Sequence, residues 1–207
     1  AGILQRNQEA EEAMRLWPDD YAVADDHCKD VLDGCYDVPI EKMEPVICDV
    51  GANIGAFAKW ASGRWDHPTI HCFEPFELNF ELLKKTAATL PAKVFCHQVA
   101  ILNEPAVLRL IPGYYNCGEW SLFGSAESPK HLAVDVIVLD AAILPKCDIL
   151  KIDTEGAEPF ILRRLIELGR IREPKAIVCE YHRAGEEKSI PEMLAPHGFQ
   201  LHQSESF

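Results

Sequence analysis

Apolar and polar positions along this chain fall into short blocks whose spacing switches between the period of a strand and the period of a helix. Val46 to Val50 reads as a strand, Ala56 to Ser62 as the helix behind it, Thr69 to Phe73 as a second strand and Phe76 to Leu90 as a second helix. Lys93 to Ala100 follows as a third strand. Asp148 to Asp153 reads as a fourth strand, Ala157 to Arg170 as a helix with Phe160, Ile161, Leu165 and Leu168 on one face, and Lys175 to Tyr181 as a fifth strand. Ile190 to Leu194 is a short helix, and Gly198 to His202 closes the chain as an antiparallel edge strand. Ala106 to Ile111 and Leu132 to Val138 alternate, and pair as extra strands around the loop Pro112 to Pro129.

The runs Val46 to Val50, Cys147 to Ile152 and Ala176 to Cys179 are nearly continuous in apolar residues, as strands covered on both faces must be. The pattern predicts an α/β domain with a mostly parallel, doubly wound sheet, whose ligands bind at the carboxyl ends of the strands. Ahead of it, Ile3, Leu4, Ala10, Ala13, Met14 and Trp17 have helical spacing up to Pro18, and His27 to Leu32 reads as a second short helix ended by Gly34. Residues 1–45 are thus a helical extension, either a solvated leading segment or a lid, and 46–207 the main body of a single structural domain.

Composition narrows the function. The 207 residues are 48% hydrophobic, enough for one packed core, and 20 Lys and Arg against 33 Asp and Glu leave a net charge of −13. That surface, with no basic stripe, excludes a nucleic-acid backbone as partner. Cys48, Cys72, Cys96, Cys147 and Cys179 fall in or beside strands and the eight cysteines contain no C-x-x-C pair, so reduced, buried thiols and a cytoplasmic location are expected. Cys28 and Cys35, with His27 beside them, are a weak candidate for a metal or redox pair. No apolar run is long enough to span a bilayer.

Candidate chemistry gathers at the strand tips. Asp49-Val50-Gly51-Ala52-Asn53-Ile54-Gly55 is a strand breaking into a glycine turn ahead of a helix, where backbone N–H groups and the helix dipole suit an anion. Alternatively, it is the turn that any α/β protein needs between strand and helix. The spacing G-x-N-x-G lacks the third glycine of the dinucleotide fingerprint, which disfavours nicotinamide and flavin. Glu74, at the end of the second strand, stands where doubly wound folds hold ribose hydroxyls. Asp153 and Glu155 at the tip of the fourth strand either cap the following helix or bind a proton, a cation or a donor-rich ligand. Glu180 and His182 point to one side of the fifth strand, and with Asp153 could hold a divalent metal or supply a general base. His71 and His97 read as satisfied core histidines, and Trp17, Trp60 and Trp65 as packing residues, while Trp120 lies in the central loop.

These residues also carry a family likeness. Asp49-Val50-Gly51-Ala52-Asn53-Ile54-Gly55, Phe73-Glu74-Pro75 with Asn79, and above all Asp148-Ile149-Leu150-Lys151-Ile152-Asp153-Thr154-Glu155-Gly156-Ala157-Glu158 resemble the FkbM-type methyltransferases, over about Asp33 to His182. The resemblance implies a Rossmann-like class I methyltransferase fold, S-adenosylmethionine as cofactor, and methyl transfer to a hydroxyl oxygen of a small molecule or sugar. It implies that Gly51, Ala52 and Asn53 line the methionine part, with Asp49 and Gly55 framing the turn, that Glu74 holds the ribose, and that Pro75 and Phe76 lie near the adenine. Gln98, Val99 and Ala100 would border the adenine and Ser121 would lie near the cofactor. Asp153 and Glu155 would face the methyl group and acceptor, with Glu155 or His182 as base. A metal on Asp153, Glu180 and His182, in the position used by catechol-type enzymes, is the competing arrangement. A nucleoside-binding module without turnover and a nucleotide-sugar or nicotinamide enzyme are the other readings. The loop with Tyr114, Tyr115 and Trp120, together with the N-terminal segment, is expected to shape the acceptor site.

Overall fold

The computed structural model describes residues 38, 40–41, 43–112, 120–123 and 133–202. The helices expected before residue 38, the Cys28/Cys35 pair and most of the Pro112 to Pro129 loop lie outside them. Eight strands are present among the described residues: β1 (Val46–Val50), β2 (Thr69–Phe73), β3 (Lys93–His97), β4 (Ala100–Leu102), β5 (Ala106–Leu110), β6 (Val134–Asp140), β7 (Ile149–Ile152) and β8 (Ala176–Cys179). The helices are α1 (Ala56–Arg64), α2 (Glu77–Ala87), α3 (Glu158–Glu167) and α4 (Glu186–Leu194).

The main sheet has the order β3-β2-β1-β7-β8, and every neighbouring pair is parallel. Order reverses between β1 and β7, so the crevice above their carboxyl ends is the switch point at which such sheets bind ligands. This is the Rossmann-like architecture expected. Ile47, Ile70 and Ile149 are fully buried against α1 and α2 in one core cluster, whereas Cys48, Val50, Leu150 and Ile152 face the other way, towards α3 and the second sheet. Each fully buried isoleucine contributes about 1.5–3 kcal/mol by leaving water.

The structure corrects the sequence reading in four places. The third strand ends at His97, and Ala100 begins β4, which belongs to a separate three-stranded sheet, β4-β6-β5. The expected pairing of the segments around the central loop is present there, as antiparallel β5 and β6. Residues 198–202 form no strand, so β8 is the sheet edge among the described residues and all four of its positions are only half buried. The last helix begins at Glu186, not Ile190. Its exposed Glu187, Lys188 and Ser189 hid the start, but Glu186 is buried and its Oε2 accepts the His182 and Arg183 N–H groups at 2.9 and 3.1 Å. Val38 and Ile40, assigned to the extension, are 3% and 7% exposed and belong to the α1/α2 core, with the Trp65 indole donating to the Ile40 carbonyl at 3.0 Å.

Candidate active site

The turn after β1 is built for close approach of protein to protein. Gly51 has φ 79°, and a Cβ there would lie 1.7 Å from the Asp153 carbonyl oxygen, so glycine is required where the tips of β1 and β7 touch. A Cβ on Gly55 (φ 93°) would meet Leu83 at 3.0 Å and Thr86 at 3.2 Å. These glycines therefore let chain segments meet. Asn53 sits between them at φ 49°, a left-handed conformation that Asn tolerates better than most side chains. The Gly51 and Ala52 N–H groups donate to the Phe73 carbonyl and the Asn53 N–H to Glu74, so these three are taken within the fold, while the first turn of α1, which has no side-chain cap, still offers donors to an anion.

Glu74 is 5% exposed and ties two turns together. Its Oε2 accepts the Asn53 N–H at 2.9 Å and its Oε1 the Phe76 N–H at 2.8 Å. Burial pushes its carboxyl up to about 7, against the lowering effect of those two hydrogen bonds. Each oxygen keeps a lone pair for a further donor. Phe76 is 1% exposed and stacks on Trp120 with ring centroids 3.9 Å apart, so both aromatics are core. Pro75 is half buried beside them, Gln98 is exposed and Val99 half buried between β3 and β4, and Ala100 is buried. His71 and His97 stack on the sheet edge with nitrogens 3.4 Å apart, and burial lowers both.

Behind the turn lies a charged row that the sequence reading passed over. Lys151 is 4% exposed and pairs across the sheet with Asp49, its register partner on β1, at 3.2 Å. Its ammonium also reaches Asp153 Oδ2 at 3.3 Å and donates to the Gly51 carbonyl at 2.7 Å. Asp49 is fully buried inside the sheet, and burial raises its carboxyl against the lowering effect of Lys151. Lys151 therefore joins the β1 turn to the β7 tip.

At the neighbouring tips, His182 collects four carboxylates. Nδ1 lies 3.1 Å from Glu158 Oε1, while Nε2 lies 3.4 Å from Asp153 Oδ1, 3.5 Å from Glu155 Oε1 and 3.9 Å from Glu180 Oε1. Neither acid at the β7 tip caps α3. Instead Glu158, fully buried in its first turn, reaches back to accept the Thr154 N–H at 2.7 Å and the Thr154 hydroxyl at 2.9 Å. Burial alone would raise Glu158, but the His182 and Thr154 hydrogen bonds outweigh it and hold the carboxyl low. Burial alone would lower His182, but the Glu158 hydrogen bond and the charges of Glu155 and Asp153 push it up to about 9. Glu180 is raised, by burial first and by Asp153 second. Glu155 has φ 55°, unusual for a residue with a side chain, and the Ser121 hydroxyl fixes it by donating to its carbonyl at 2.6 Å.

The atoms of Asp153, Glu155 and His182 lie within 4.8 Å of one another, the spacing of a possible cation site, so Glu155 joins Asp153 and His182 more closely than the expected Glu180 does. A histidine whose second nitrogen is held by a buried carboxylate is also the usual setting of a metal ligand or a base.

The raised His182 has a consequence for stability. A histidine raised in the folded protein contributes stability that is complete below about 6.5 and is lost as pH rises through about 9. Up to about 3 kcal/mol is therefore expected to disappear over that window, measured by denaturant unfolding at several pH values, and H182N should flatten the curve there.

A sequence profile described as the methyltransferase FkbM domain matches residues 49–201. The protein named Methyltransferase 1 of Beauveria bassiana (strain ARSEF 2860) is 28% identical over 163 residues, which cover 67% of this chain and 66% of that protein's length. Among solved structures, the precorrin-6y C5,15-methyltransferase of Geobacter metallireducens GS-15 is similar with a TM-score of 0.48 and 15% identity, over 84% of this chain and 71% of that one. Among the described residues, no helix is long and apolar enough to cross a membrane.

Proposed function

Because the chain belongs to the FkbM methyltransferase family, we propose that it transfers the methyl group of S-adenosylmethionine to a hydroxyl oxygen of a small molecule or sugar. The observation that carries this reading is the placement of two different polar centres on adjoining strand tips. Glu74 at β2 has lone pairs to spare, and the His182 group spans β7 and β8, with the Gly51 to Asp153 contact joining the two. A binding module without turnover would need the first centre and not the second.

The residues fit the cofactor. Glu74 is a buried acceptor for a vicinal diol, and the first turn of α1 offers donors and a positive dipole end to a carboxylate. Bound there, S-adenosylmethionine supplies an activated methyl group, so the protein has two tasks, alignment and proton removal. Asp153 and Glu155 accept hydrogen bonds from the acceptor's hydroxyl groups and orient them. His182 in its neutral form takes the reacting proton at Nε2, while Glu158 fixes the ring through Nδ1. Its high proton affinity makes it a strong base once deprotonated.

A second reading places a divalent cation on Asp153, Glu155 and His182, which would lower the acceptor's pKa. Turnover that survives exhaustive chelation removes it. The test of the function itself is mass spectrometry of a metabolite pool incubated with the protein and methyl-labelled S-adenosylmethionine. Label in an O-methylated product supports the reading, and label in no product overturns it.

Glu74→Ala should weaken S-adenosylhomocysteine binding about tenfold or more by calorimetry, the loss expected for a charged hydrogen-bond acceptor. Unchanged affinity would remove Glu74 from the cofactor site. Since a diol donates to the ionised carboxylate, wild-type affinity should also rise as pH passes through about 7.

A further inference from the structure

We infer that the acceptor carries an anionic oxyacid group, a carboxylate or a phosphate, received by Arg183 at the rim of the proposed methyl-transfer site. This rests on the function proposed above and adds the chemical class of the substrate's far end. Arg183 directly follows His182, and its guanidinium carbon lies 4.3 Å from the centre of the Phe123 ring. Phe123 in turn stacks on Phe160 at 5.2 Å.

The seat of this arginine is built by the same residues that shape the cluster. Gly156 follows Glu155 with φ 107°, a conformation that favours glycine, and a Cβ there would lie 2.6 Å from Arg183 Nε and 2.8 Å from Nη2, so a side chain at this position would push the guanidinium out of its seat. The Ser121 hydroxyl that holds the Glu155 carbonyl also accepts the Phe123 N–H at 3.1 Å, which fixes the ring under the arginine. Glu186 holds the Arg183 backbone N–H at 3.1 Å. A guanidinium so placed is oriented before any ligand arrives.

Beyond the Phe123 ring, no carboxylate takes up its charge among the described residues. Arg164 is paired with Asp140 and Glu167, Arg170 with Glu173 and Arg109 with Asp135, whereas Arg183 is exposed and has no carboxylate partner among the described residues. Arg64, Arg163 and Arg172 likewise have no carboxylate partner among the described residues, and what sets Arg183 apart is its place directly after His182 and against Gly156. Asp153 and Glu155 are engaged by His182 and Lys151. A planar fork of N–H donors stacked on an aromatic ring matches the two oxygens of a carboxylate or phosphate. The acceptor would then lie with its hydroxyl end at Asp153, Glu155 and His182 and its anionic end on Arg183, which orients it for transfer.

The test uses the full chain saturated with S-adenosylhomocysteine and follows the Arg183 side-chain Nε–H resonance, assigned by its loss in R183K. Inorganic phosphate, acetate and, as controls, chloride and neutral glucose are titrated at constant ionic strength. A saturable shift with phosphate or acetate and none with chloride or glucose is expected, and which anion saturates at lower concentration separates the two sources. A linear or absent response to both oxyanions overturns the inference. In turnover with matched sugars, uronic acids and sugar phosphates, R183Q should raise KM for the anionic acceptors about tenfold to a hundredfold and leave neutral ones unchanged. Equal loss for both would assign Arg183 a structural role. Failure of S-adenosylhomocysteine to bind would instead sink the methyl-transfer reading, and the resonance titration of the unloaded chain would still report on Arg183.

Discussion

H182N is expected to lower kcat by about 100-fold to 10,000-fold while S-adenosylhomocysteine binding stays within about twofold of wild type. Asn is the informative replacement because its amide can still donate towards Glu158 from near the position of Nδ1, so the buried carboxylate keeps a partner and the ring's Nε2 alone is lost. In wild type, the neutral base is the minor form at neutral pH. The rate should therefore climb with pH and level off above about 9, the value to which Glu158, Glu155 and Asp153 raise the imidazole. H182N should show no such climb. A variant that retains wild-type turnover, or a wild-type rate that falls through the same window, would transfer the base role to a carboxylate, with Glu155 first in line.

The largest effect on stability is expected at Lys151. K151M removes the cation between Asp49 and Asp153 and leaves Asp49 charged or protonated in a fully buried site. Removing one partner of a buried ion pair costs about 3–5 kcal/mol. For a chain of this size that corresponds to a Tm lower by roughly 6–20 °C in a calorimetric scan. Adding Asp49→Asn to K151M should recover part of the loss, because the uncompensated carboxylate is then gone. A single variant as stable as wild type would show that the row between β1 and β7 contributes little.

The centre of the main sheet was legible because β1 and β7 are buried on both faces and leave continuous apolar runs, and Val46–Val50 and Thr69–Phe73 were placed to the residue. Edges were less legible. Residues 198–202 alternate weakly, and only tertiary contact decides whether such a stretch pairs. At the site, Asp153, Glu155, Glu180 and His182 could be grouped from strand tips alone, since parallel strands bring their carboxyl ends together. What Lys151 does could not be read, because its partner is fixed by the register that sets Asp49 opposite it. A lysine inside an otherwise apolar strand was the available signal. Glu158 was quoted in its motif without a role, and only the turn at Glu155 and Gly156 carries it back under Thr154 and His182. That Phe76 and Trp120 stack on one another in the core could not be read, because aromatic residues in loops look alike until their stacking partner is known.

The central claim is that the crevice between β1 and β7 is a S-adenosylmethionine site. Calorimetric titration of the full chain with S-adenosylhomocysteine, NAD and a UDP-sugar tests it most directly. The account predicts saturable binding of S-adenosylhomocysteine that Glu74→Ala weakens, and no comparable binding of the other two. Binding of NAD or the UDP-sugar in its place, or no binding of S-adenosylhomocysteine, would contradict it.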